Sequence, residues 1–154
     1  MRFVEILDGA TGRKWDAHGN RGGLIGNHRS NAARTDQGIT ALVEDLHQRG
    51  MLDDVLVYCA GEFGRTPMMN GHAGRDHWSN CFTTMLAGGG LKGGQVVGAS
   101  EKFGGGVLQR QVIPLDLMAT IYQAMGISLD THYTDSAGRP VSIVGPGQPI
   151  HELL

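Results

Sequence analysis

The sequence predicts an α/β fold, a mostly parallel sheet flanked by helices, and three observations predict it. Residues 55–60 (VLVYCA) are continuously apolar between Asp53-Asp54 and Gly61, the pattern of a strand covered on both faces. Within residues 31–49, Ile39, Leu42, Val43 and Leu46 recur at the i, i+3, i+4, i+7 spacing of an amphipathic helix. A short, partly alternating run at residues 2–7 (RFVEIL) precedes that helix. Strand, helix and strand in that order make a right-handed βαβ crossover.

Each element has a local reason. Asp8-Gly9 turns the chain after the first strand, and Gly50 stands just past the helix as its stop. Residues 82–87 (FTTMLA) are a third strand, running into Gly88-Gly89-Gly90, and residues 95–97 a short fourth. A second helix spans residues 114–125: Pro114 suits the first helical position, Leu117, Ile121 and Met125 recur four apart with Met118 beside them, and Gly126 ends it. The tail, residues 136–154, has Pro140, Pro146 and Pro149 and reads as irregular structure or a short edge strand. No repeat or linker divides the chain, and 154 residues suit a single domain, 1–154. A chain of that length is expected to bury roughly 68–70% of its unfolded surface.

Composition narrows the function. With 40% hydrophobic residues, 18% charged and a net charge of −2, the chain is no charged disordered tail. The same balance gives it no general attraction to nucleic acid or anionic lipid. Residues 1–15 lack a signal-peptide core, and no later run is long enough to span a membrane. Cys59 and Cys81 lie in apolar runs without CxxC spacing, so free thiols and a reducing compartment are favoured, with a Cys59–Cys81 bridge left open. The 25 glycines exceed the usual share about twofold and predict many tight turns, the places where sites are built.

Acidic residues and histidines gather after the strand candidates. Asp16 and His18 follow the first, Glu62 the central one, and Asp76-His77 lie a little further on. In an open α/β sheet these loops share the carboxyl end, where ligands bind. Carboxylate oxygens with imidazole nitrogens suit one or two divalent metal ions: zinc, manganese, or calcium if oxygens dominate. Taken singly, each has a plainer role: Asp16 in its own turn, Glu62 capping a helix, His77 packed beside Trp78. Arg65 and Arg75 are forks for a phosphate or sulfate oxyanion, or alternatively donors to loop carbonyls. His72 could line the site without a partner in sequence, while His28, His47, His132 and His151 fit surface or capping roles. Residues 88–93 match GxGxxG, but a strand-like GQVVG follows where a dinucleotide site needs a helix, so nucleotide binding is rejected.

Taken together, WDAHGN (15–20), GEFGRTP (61–67), GRDHW (74–78), LAGGGLKGGQVVG (86–98) and GRPV (138–141) resemble an uncharacterised sulfatase-like family of the alkaline phosphatase superfamily. The resemblance is to the C-terminal part of its longer members. It implies a mostly parallel sheet sandwiched by helices, here incomplete, and metal-dependent hydrolysis of sulfate or phosphate esters. Asp16 and His18 resemble that superfamily's mid-chain ligands, Glu62 stands where an Asp-His pair is usual, and His77 resembles the last histidine ligand. Asp76 would be a further ligand, and Arg65 and Arg75 would hold the ester's oxyanion.

The departures are an Asp-x-His spacing in place of Asp-x-x-x-His, Phe63 after Glu62, and no Ser, Thr or Cys matching the nucleophile motif. Two expectations follow: the metal-binding C-terminal half of a hydrolase, or a truncated non-catalytic relative that binds a sugar or a protein. The expected partner is a small-molecule sulfate or phosphate ester, not nucleic acid or membrane. An incomplete sheet would pair its edge with an upstream segment or a second copy. Longer relatives are often exported, which leaves localisation open.

Overall fold

The computed structural model describes residues 3–7, 15–19 and 23–154. Helix α1 spans Gly23–Gln48 and α2 spans Pro114–Ala124. The strands are short: β1 Leu56–Cys59, β2 Gly64–Arg65, β3 His77–Trp78, β4 Met85–Gly88, β5 Ala99–Ser100, β6 Val107–Gln109, β7 His132–Thr134 and β8 Pro140–Ser142. A single 3-10 turn, His151–Leu153, closes the described chain.

The expected mostly parallel, alkaline-phosphatase-like sheet is not what forms. Among the described residues there are four separate two-stranded sheets, β1-β4, β2-β3, β5-β6 and β7-β8, each antiparallel. Phe3 to Leu7 form no strand and stand largely exposed, so the βαβ crossover has no first strand; Arg2 lies outside the described residues. The central run pairs instead with the later strand, Leu56 opposite Gly88 and Cys59 opposite Met85, and the Gly89 amide donates to the Leu52 carbonyl. A continuous apolar run reports that a strand is covered; it carries no information about the direction of its neighbour. Nor is the cover complete, because β1 is only half-buried and Tyr58 is exposed. Residues 95–97 form no strand; pairing begins at Ala99.

The helices follow their periodicity more closely. α1 ends two residues before Gly50, and starts well upstream of Asn31. α2 begins at Pro114, and Asp116 accepts the Ile113 amide at 3.1 Å, satisfying a donor that the helix start leaves open.

Most of the buried residues lie around α2 and the tail. Ala119, Thr120, Val144 and Ile150 are buried. Thr120 donates its hydroxyl to the Asp116 carbonyl at 2.7 Å and accepts the Ile150 amide at 2.8 Å. Asp116 also accepts the Gln148 amide at 2.9 Å. The proline-bearing tail is therefore fixed by its backbone, β8 supplying the short edge strand and Ile150 the apolar anchor. No helix among the described residues is long and apolar enough to cross a membrane.

Candidate metal centre

The site is built where the chain crosses itself. GEFGRTP and GRDHW supply the two arms of the β2-β3 hairpin, with Gly64 opposite Trp78 and Arg65 opposite His77. The loop between them folds on its own backbone: Asn70 donates its amide to Gly74 and accepts that of Ala73, and Thr66 donates to the Asp76 carbonyl. Residues 15–19 lie against this loop, with Gly19 bridged to Ala73 and the Arg75 amide donating to the Ala17 carbonyl at 3.2 Å. Gly74 permits the crossing, because a Cβ there would overlap the His18 carbonyl carbon and the Gly19 nitrogen. On the far side His28 of α1 donates to the Trp15 carbonyl at 3.0 Å, and the two rings pack 5.6 Å apart.

Three ligand atoms converge. Asp16 Oδ1 is 2.8 Å from His18 Nε2 and 2.9 Å from His77 Nε2, and the two imidazole nitrogens are 3.1 Å apart. Two of these residues are separated from the third by about 60 positions in sequence, so only tertiary structure brings them together. Asp16, His18 and His77 thus form a candidate metal-binding site. Around an ion about 2.0–2.1 Å from each, ligand atoms stand about 2.9 Å apart at right angles and about 3.3–3.4 Å apart at tetrahedral angles. The observed triangle has the right-angled size and lies a few tenths of an ångström inside the tetrahedral one. Its side chains are 43–50% exposed, so water or a small molecule has access.

Neighbouring groups orient the triangle. The other nitrogen of His18, Nδ1, lies 2.9 Å from Asp76 Oδ1. Phe63 stacks on His77, ring centroids 4.2 Å apart. Arg65 donates to Asp16 Oδ1 at 2.5 Å and lies over the Phe63 ring. The hydrogen bond from His77, with Arg65 and His18 beside it, holds the Asp16 carboxyl well below the ordinary carboxylate range. Hydrogen bonds from His18 and then Asn70 lower that of Asp76. The Asp76 hydrogen bond, aided by Asp16, raises the His18 imidazole.

The structure sorts the residues that sequence singled out. Asp16, His18 and His77 meet; Asp76 reaches the reverse side of His18. Glu62 is exposed and outside the triangle, and it is the next residue, Phe63, that reaches His77. Arg65 stands at the triangle, whereas Arg75 gives its guanidinium to the Thr66 and Pro67 carbonyls. His72 is exposed, its backbone amide held by Asn70. Asn70 is the site residue that sequence reasoning missed. Its side chain holds the His18 carbonyl, the Asp76 carboxylate and two loop amides at once.

A family model described as "Protein of unknown function (DUF1501)" matches residues 1–154, and the chain belongs to that family. No curated protein and no solved structure matches it. These findings correct the resemblance to a sulfatase-like family of the alkaline phosphatase superfamily: the matching family is DUF1501, and the sheets are small and antiparallel. The reading as a hydrolase of sulfate or phosphate esters is corrected with it. Among the described residues there is a metal-ligand triad, without the strand-end architecture that such an active site requires. The kinship that the truncated-relative alternative assumed is corrected in the same way.

Proposed function

We propose that this DUF1501 chain binds one divalent transition-metal ion, zinc foremost, in an open centre made by Asp16, His18 and His77. The observation that carries the reading is the triangle itself: two imidazole nitrogens and one carboxylate oxygen from distant segments, mutually 2.8–3.1 Å apart. Two nitrogens and one oxygen suit zinc, manganese or iron better than calcium, which takes six to eight oxygens. Zinc takes three protein ligands with a free fourth position, and the triangle reaches that geometry by opening a few tenths of an ångström.

Each side chain has a role in this reading. Asp16 supplies the negative ligand, and its low proton affinity keeps it ionised. His18 and His77 present Nε2. Phe63 covers one side of His77 and limits its rotation. Arg65 pairs with Asp16 and holds its carboxylate in the triangle. A bound ion of this kind would lower the proton affinity of a bound water.

The test is calorimetric titration of metal-stripped protein with Zn2+ and Co2+. One equivalent should bind, and His77→Ala and His18→Ala should each abolish saturable binding while far-ultraviolet circular dichroism stays unchanged. Undiminished binding in both variants would overturn the assignment.

A further inference from the structure

We infer that Asp76, itself fixed by Asn70, is the positioning residue that makes Nε2 the ligand atom of His18; the inference rests on the metal-centre reading above. His18 Nε2 points at Asp16 and His77, and Nδ1 points at Asp76 Oδ1, 2.9 Å away. A neutral imidazole has one N–H and one lone pair. Each ring nitrogen faces a carboxylate, Asp16 Oδ1 at Nε2 and Asp76 Oδ1 at Nδ1, so once an ion takes Nε2 and Asp16 as ligands, Asp76 is the acceptor that holds the proton on Nδ1. The lone pair then lies on Nε2, toward the triangle. A carboxylate behind a ligating histidine fixes its tautomer and its ring plane in the same stroke.

Such a carboxylate works only if it is itself held, and Asn70 does the holding. Its Nδ2 donates to Asp76 Oδ1 at 2.9 Å and to the His18 carbonyl at 3.0 Å. Its Oδ1 accepts the His72 and Gly74 amides, both at 3.0 Å. Every donor and acceptor of the carboxamide is used. Turning the amide over would set oxygen against the His18 carbonyl and nitrogen against two N–H groups, so the network admits one orientation. From the other side, the Asp76 amide donates to Thr66 Oγ1 at 3.1 Å. Asn70 therefore joins the backbone of the His18 segment to the carboxylate that orients the His18 ring. Neither residue needs to touch the ion.

The experiment compares wild type, Asp76→Asn, Asp76→Ala and Asn70→Asp, each metal-stripped and then titrated with Zn2+. Asp76→Asn keeps a weaker acceptor and should lower affinity about tenfold; Asp76→Ala should lower it up to about a hundredfold. Asn70→Asp sets a carboxylate against Asp76 and should resemble Asp76→Ala. The d–d spectrum of the Co2+-loaded proteins should shift in the same order, which a merely structural effect would not produce. Unchanged affinity and spectrum in Asp76→Ala would overturn the inference while leaving the metal centre standing. If wild type binds no metal, the metal-centre reading fails and this inference falls with it. In the zinc-loaded wild type, 15N spectra should show His18 with its proton on Nδ1; a His18 bound through Nδ1 overturns the inference.

Discussion

Arg110 sits in the left-handed backbone region, φ 46°, and turns its guanidinium onto both oxygens of Glu152, at 2.6 and 2.9 Å. A two-pronged pair of this kind favours the ionised carboxylate, and Arg110 pulls the Glu152 carboxyl down to about 2. The folded value is depressed below the unfolded one, near 4.5. Its contribution to stability is thus fully present above about pH 4.5 and is lost as the pH falls through 2. Urea unfolding across pH 7 to 2 should show Glu152→Gln less stable than wild type at neutral pH, the gap closing between pH 4.5 and 2. A gap of constant size would mean that the pair does not couple folding to protonation. Residues of this sort show what sequence can and cannot disclose. Asp16, His18 and His77 were legible because few side chains ligate metals, and loops rich in them stand out. Asn70 was not, because a carboxamide has no ligand signature and its work depends on a contact 52 positions away. The pairing of Arg110 with Glu152, 42 positions apart, was hidden for the same reason.

At the scale of elements, helices were readable and sheets were not. The period of α2 and the proline at its start are local facts, and local facts suffice for a helix. α1 begins well before its apolar stripe, and of the stripe only Leu46 is buried. Strand direction is a property of pairs, which is why VLVYCA was placed in a parallel sheet and forms an antiparallel one. The β2-β3 hairpin is the element that matters for the site, and Gly74 is its vulnerable point. A methyl group there meets backbone of the His18 segment, which cannot rotate out of the way. Gly74→Ala should part the two segments, abolish zinc binding, and lower stability by more than about 1 kcal/mol, as backbone overlaps do. Gly71→Ala is the matched control, since nothing lies near its Cβ. Equal zinc affinities for the two variants would show that the crossing does not assemble the centre.

The whole molecule carries a surface of 11000 Å². A compact chain of 16.4 kDa has about 7,500 Å², and its unfolded form about 24,000 Å². Folding therefore buries about 54% of the unfolded surface, where length alone led to an expectation of 68–70%. The shortfall follows from the architecture: four two-stranded sheets present unpaired edges, and α1 buries only Asn31 and Leu46 of its 26 residues. Ile25, Val96 and Leu108 remain 68–92% exposed, an arrangement that costs hydrophobic stabilisation. The denaturant slope of unfolding scales with the surface exposed, so the isolated chain should unfold in urea with a slope about a fifth below that of a compact 154-residue domain. A slope at the compact value would show that these apolar side chains are covered in solution. Repeating the titration over a hundredfold range of protein concentration then separates the two ways of covering them. A midpoint that rises with concentration assigns the cover to a second copy of the chain, since association stabilises by mass action. A midpoint that stays fixed assigns it to the chain folding back on itself.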